Sequence, residues 1–149
     1  MRLEDEIKQK QFKTEQHKLL VNLIYTGSWV KSLHADLLKP NGLTLQQYNV
    51  LRILRGQYPN PATINLLIER MLDKMSNASR LVEKLKQKGL VERKENDSDR
   101  RQADVIITEK GLELLKTLED TVAQIEKRTQ VITESEAQMV NEVLDRLRG

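Results

Sequence analysis

The chain has 149 residues, 38% of them hydrophobic and 32% charged, with a formal net charge of +3. That is too apolar for a disordered chain and long enough to bury a core, so a single domain over residues 1–149 is expected, built mainly of exposed, charged helices. The absence of cysteine excludes disulfides, thiolate metal sites and thiol redox sensing; no apolar run nears the roughly 20 residues of a membrane helix and the charged start is no signal peptide, so a cytoplasmic location without a membrane partner is expected.

Leu19, Leu20, Leu23, Ile24, Val30, Leu33, Leu37 and Leu38 recur at helical spacing, which predicts one long, partly buried helix over the first 39 residues. Pro40, Asn41 and Gly42 stop it. Thr44 and Gln47 have the spacing of a capping box, so the next helix begins at Leu45, turns Val50, Leu51 and Leu54 inward, and ends at Tyr58-Pro59-Asn60-Pro61. A shorter helix is predicted from Thr63 to Met71, with Ile64, Leu67, Ile68 and Met71 facing inward.

Residues 76–88 form the most informative helix. Ala78, Leu81, Val82 and Leu85 make its apolar stripe, and Ser76, Asn77, Ser79, Arg80, Glu83 and Lys84 are among the polar residues on the other faces. Gly89 followed by Leu90 reads as a left-handed cap. Residues 91–94 and 104–107 are two short strands around a polar, turn-rich segment that contains Asp99-Arg100-Arg101. Thr108 caps the following helix, with Leu112, Leu115, Leu118, Val122 and Ile125 on its apolar side. Thr133 and Glu136 form a second capping box, opening a last helix lined by Met139, Val140, Val143, Leu144 and Leu147.

Three short helices followed by a hairpin, set between longer helices, is the layout of a winged helix-turn-helix: mainly α, with a small β-hairpin wing. The DNA-binding lobe is then residues 44–108, and residues 1–40 and 109–149 form a helical dimerisation region. Residues 74–101 hold nine Lys or Arg against five Asp or Glu, a local charge of +4 that exceeds the whole chain's +3. A helix that begins with small polar groups can approach base edges in a major groove about 12 Å wide while Arg80 and Lys84 meet bases or phosphates. A charged helical face is by itself most often only solvated, and Asp99-Arg100-Arg101 alone reads as a loop salt bridge; the position of both in this layout is what favours double-stranded DNA as the partner. Apolar stripes at both termini are core first of all, yet so much apolar surface at the two ends is most simply covered by a second copy, a homodimer.

The residues also carry a resemblance. Leu43-Thr44, Gln47-Tyr48, Val50-Leu51, Ser79-Arg80-Leu81-Val82, Leu85, Lys88-Gly89-Leu90-Val91, Arg93, Asp99-Arg100-Arg101, Thr108 and Gly111 stand at the spacings of the multiple-antibiotic-resistance regulator (MarR) family, and the chain resembles that family from Leu43 to Gly111. It departs from the pattern in the turn before the second helix, where Leu72-Asp73-Lys74 stands in place of a usual glycine, and at Ile68, where alanine is common. The resemblance implies that Ser76, Asn77, Ser79 and Arg80 are the groove-facing start of the recognition helix, that Arg101 enters a minor groove oriented by Asp99, and that Arg100 contacts phosphate. It further implies a ligand-responsive repressor on a palindromic operator, with a small aromatic or anionic effector between helical base and lobes; His17, Tyr25 and Trp29 are the candidate lining. The alternative is a protein-binding adaptor that keeps the fold but not DNA binding. His17 and His34 are too far apart on one helix to share a metal, no acid, base or nucleophile clusters, and no glycine-rich phosphate loop is present, so no metal, cofactor or enzymatic activity is expected.

Overall fold

Local capping chemistry punctuates most of the chain. In the computed structural model, which describes residues 1–149, the order is α1 (Leu3–Glu6), α2 (Glu15–Leu38), a 3₁₀ turn (Lys39–Asn41), α3 (Leu45–Gln57), β1 (Ala62–Thr63), α4 (Ile64–Arg70), α5 (Ala78–Gln87), β2 (Val91–Glu95), β3 (Ala103–Ile107), α6 (Glu109–Thr129) and α7 (Glu134–Arg148). Thr44 Oγ1 accepts the Gln47 N–H at 3.1 Å while Gln47 Oε1 accepts the Thr44 N–H at 3.2 Å, closing the expected box at the start of α3. Thr133 and Glu136 close the second box on α7.

The end of α5 follows from Gly89, whose φ of +71° is left-handed. The Gly89 N–H donates to Lys86 O at 2.9 Å and the Leu90 N–H to Leu85 O at 3.0 Å, a paired closure that satisfies two of the helix's last carbonyls and buries Leu90. Thr108 then ties this end to α6: its Oγ1 donates to Gly89 O at 2.8 Å and accepts the Gly111 N–H at 3.1 Å.

The sheet is antiparallel with β3 central, in the order β1-β3-β2. The expected hairpin pairs Val91 with Ile107 and Glu95 with Ala103. The third strand, β1, pairs Ala62 with Val105 and Thr63 with Asp104; two residues are too few to show alternation in a sequence. One apolar core joins α3, α4, α5, the sheet and the first half of α6, with Val50, Leu51, Leu67, Val82, Leu85 and Val105 sealed from solvent.

Three expectations change. The N-terminal region is not one helix: α1 is a short turn folded back beside α2, and α2 starts at Glu15 because Thr14 Oγ1 accepts the His17 N–H at 3.0 Å. Ile68 is 46% exposed; α4 turns Leu67 into the core and leaves Ile68 beside that contact. The helix expected over residues 76–88 begins at Ala78, because Asn77 takes an extended conformation and caps it, its Oδ1 accepting the Arg80 N–H at 3.0 Å.

The fold-back of α1 has a pH signature. Glu4 Oε1 accepts from Lys18 Nζ at 2.6 Å, and this bond is the main reason the Glu4 carboxyl is lowered from 4.5 to about 2. A depressed folded value means that the contribution is fully present above about 4.5 and is lost as pH falls toward about 2. The Glu4 carboxyl ¹³C resonance is therefore expected to titrate near 2 and to return toward 4.5 in Lys18→Met; an ordinary midpoint in the unsubstituted protein would contradict the contact.

Candidate nucleic-acid interface

Helix α5 buries Ala78, Val82 and Leu85 and leaves Ser79, Arg80, Glu83 and Lys84 on the open side. Ser79, Arg80 and Lys84 therefore share an exposed helical face, as the spacing predicts. Asn77 is exposed at the cap with its side-chain oxygen committed to the Arg80 N–H. Ser76 lies before the helix, its N–H donating to Asp73 O at 3.1 Å, and its Oγ is buried without a hydrogen-bond partner. Ser76 thus lies outside the helix, in the turn before its cap.

The wing tip is built from side-chain acceptors. Asn96 Oδ1 accepts the N–H groups of Ser98 at 2.9 Å and Asp99 at 3.0 Å, and Asn96 Nδ2 donates to Asp104 Oδ1 at 2.8 Å. Asp99 Oδ1 accepts the Arg101 backbone N–H at 3.0 Å. Asp99 therefore fixes the backbone of Arg101 and leaves the guanidinium unneutralised; neither Arg100, Arg101, Arg80 nor Arg93 enters any of the four ion pairs.

Between the start of α5 and the base of the wing lies a polar cleft of about 200 Å³, lined by Asn65, Ser79, Arg93, Arg101 and Gln102 among others. It brings Ser79 together with Arg101, and it adds two residues that the sequence did not single out for contact. Arg93 is one of the nine basic residues of 74–101 and one of the residues that carry the resemblance, with no contact assigned to it. Asn65 carried no signal, because it reaches this place only through the pairing of β1 with β3, which sets the start of α4 against the wing. A polar groove adjoins this cleft, sharing Arg93, Arg101 and Gln102 with it, and brings them beside Arg100, Lys86, Glu83 and Glu95.

A second cleft separates α2 from α3, α6 and the turn after α4. One part, of about 590 Å³, is lined by His34, Tyr48, Arg52, Arg70, Leu72 and Glu126 among others. A second part, of about 560 Å³, shares Val30, His34, Leu45, Asn49 and Leu72 with it. Arg52 lies 5.8 Å from the Tyr48 ring centre and donates to Tyr48 Oη at 3.3 Å. His34 Nδ1 is 2.8 Å from Val30 O; a carbonyl only accepts, so Nδ1 carries the proton and Nε2 is left for the cleft. His17, Tyr25 and Trp29 line neither part. His17 packs edge-on against Phe12, the Tyr25 hydroxyl donates to Glu6 at 2.5 Å, and Trp29 is half exposed. The lining is set by how α2 crosses α3 and α6, which no local pattern encodes.

The profile of the MarR family matches residues 41–102, from the turn before α3 to the wing tip. The HTH-type transcriptional regulator MhqR of Bacillus subtilis (strain 168) is 32% identical over 108 residues, 72% of this chain and 73% of that protein. The crystal structure of a MarR transcription factor from Planctomyces limnophilus is 28% identical, with a TM-score of 0.69 over 93% of this chain and 98% of that one. Bordetella bronchiseptica BpsR, 19% identical, shares the fold with a TM-score of 0.77 over 89% of this chain and 99% of its own. Mainly helical, with a winged helix-turn-helix between two end regions, the chain belongs to the MarR family of transcriptional regulators.

Proposed function

We propose that this regulator binds double-stranded DNA as a homodimer, α5 in the major groove and Arg101 of the wing in the adjacent minor groove, at a near-palindromic site. The observation that carries this reading is the convergence of Ser79, Arg93 and Arg101 on one cleft, where neither guanidinium is ion-paired although Glu83 and Glu95 border the adjoining groove. Guanidiniums left without ion-pair partners at the surface suit phosphates and the concentrated negative potential of a narrow minor groove. Ser79, Arg80 and Lys84 supply the base-edge and phosphate contacts from α5, with Asn77 at its cap; Asp99 sets the wing and Arg100 takes phosphate, while Ser76 stands before the helix, its N–H held by Asp73.

Dimerisation is supported by the end regions. Helix α7 buries none of its residues, and Met139, Val140 and Leu147 lie open on it, as do Leu20 and Ile24 on α2. An isolated helix of 15 residues is marginal in water, and a second copy offers the same apolar stripes in return. Ile24→Glu combined with Val140→Glu is expected to yield monomers by sedimentation and to weaken binding to a palindromic duplex far more than to a single half-site. A dimer that persists, with unchanged DNA binding, would overturn this arrangement.

The cleft beneath α2 is the proposed effector site. Tyr48 and Leu72 offer apolar surface, while Arg52 and His34 offer charge and a hydrogen-bond acceptor for a small aromatic, anionic molecule. BpsR supports this assignment, since 6-hydroxynicotinic acid regulates that protein's DNA binding. Repression relieved by the effector follows if the molecule prefers the conformation that fits DNA less well.

A further inference from the structure

One side chain belongs both to the cleft and to the path into α5. Asn49, on α3, borders both parts of the cleft in a row of contacts that includes Leu72. Its Oδ1 also accepts the Leu72 N–H at 2.9 Å. Leu72 is the first residue beyond the close of α4, where the Met71 N–H donates to Leu67 O at 2.9 Å. From there to α5 the turn is held from within and by its flanking helices. Asp73 accepts the Met75 N–H on Oδ1 at 3.0 Å and the Ser76 N–H on its carbonyl at 3.1 Å, Lys74 Nζ donates to Glu69 O, and Asn77 accepts from Arg80. No residue of this turn has positive φ. Side-chain acceptors do what glycine does elsewhere, and the Asn49 bond is the single hydrogen bond that ties the turn to the lobe beyond α4 and α5.

We infer that Asn49 is a positioning residue through which occupancy of the cleft reaches the start of α5. A molecule seated there competes for the Asn49 carboxamide or displaces Leu72, which is 84% exposed over the cleft. The freed turn then lets Met75, Ser76 and the Asn77 cap move, so the leading end of α5 no longer holds its register. The device acts inside one lobe, without a change in the spacing of two. It rests on the reading that α5 contacts DNA.

The chain has no cysteine, so the cleft can be filled at one chosen place without knowing its effector. His34→Cys puts a thiol on the lining of both parts, and benzyl methanethiosulfonate fills the space beside Asn49. DNA binding is read by fluorescence anisotropy on a duplex selected by the full-length protein from a random pool. Labelling is expected to weaken binding about tenfold, within the range typical of coupled sites. In His34→Cys/Asn49→Ala the unlabelled affinity already falls and the label adds less than about twofold, the non-additivity of a shared route; Asn49→Asp, which keeps an acceptor for Leu72, restores the response. Amide exchange at Leu72, measured without DNA, should quicken on labelling. A label effect of equal size with and without Asn49, or no label effect at all, overturns the proposal while leaving DNA binding intact. Failure of any duplex to bind overturns instead the reading on which it rests, and unchanged Leu72 exchange overturns the latch independently of DNA.

Discussion

Arg101→Ala is expected to weaken binding to the selected duplex by roughly 5- to 150-fold, about 1–3 kcal/mol, with an unchanged circular dichroism spectrum. The fold should tolerate it because the Arg101 side chain makes no ion pair and is exposed; the wing's shape depends on the Arg101 backbone N–H held by Asp99, which alanine keeps. Arg80→Ala should act similarly from α5, since its backbone N–H, not its guanidinium, completes the Asn77 cap. Both variants are also expected to flatten the salt dependence of binding, because each removes a cation that displaces counterions from the duplex. A protein-binding adaptor built on this fold would tolerate both changes, so unchanged affinity in both variants favours that alternative.

The second large effect concerns stability. Gly111→Ala is expected to destabilise the protein by about 1–3 kcal/mol in urea unfolding, the range for an overpacked site. A Cβ at Gly111 falls 2.5 Å from Leu90 O and 2.6 Å from Ile107 Cγ1, so either the Leu90 carbonyl or the start of α6 must shift. That carbonyl accepts the Thr108 N–H at 3.1 Å, which places the strain at the joint between α5, the sheet and α6. The requirement is for space, since Gly111 lacks the left-handed φ of Gly89. Gly56→Ala is the control: nothing lies within 4 Å of its Cβ, and removing a glycine from helix α3 should be neutral or stabilising by up to about 1 kcal/mol. Equal losses at both positions would contradict the packing described.

What was legible in the sequence was what short-range chemistry decides. Thr44 with Gln47, Thr108, Thr133 with Glu136, and Gly89 with Leu90 are bonds across a few residues, and each stands where its spacing placed it. The apolar stripe of α5 was equally readable, because Ala78, Val82 and Leu85 face one way by helical periodicity alone. The break between α1 and α2 was not, since it is held by Glu4 with Lys18 and Glu6 with Tyr25, pairs that meet only after the chain folds back. The same reason hides β1, which is a strand only because β3 is beside it. Asn77 was readable as polar and was assigned to the helix body; as a cap it starts the helix and shifts Ser76 out of it. The cleft was legible as a place between base and lobe but not in its lining, which His34, Arg52 and Leu72 supply from three separate elements.

The central claim, that a symmetric pair of α5 helices and wings reads duplex DNA, is tested most directly by selecting bound DNA from a random pool with the full-length protein and titrating the winner at two salt concentrations. The account predicts an enriched two-fold symmetric sequence with half-sites about 10 bp apart, bound more tightly than its scrambled counterpart and with affinity falling steeply as salt rises. A pool that yields no enriched sequence, or a winner bound no better than random DNA, would contradict it.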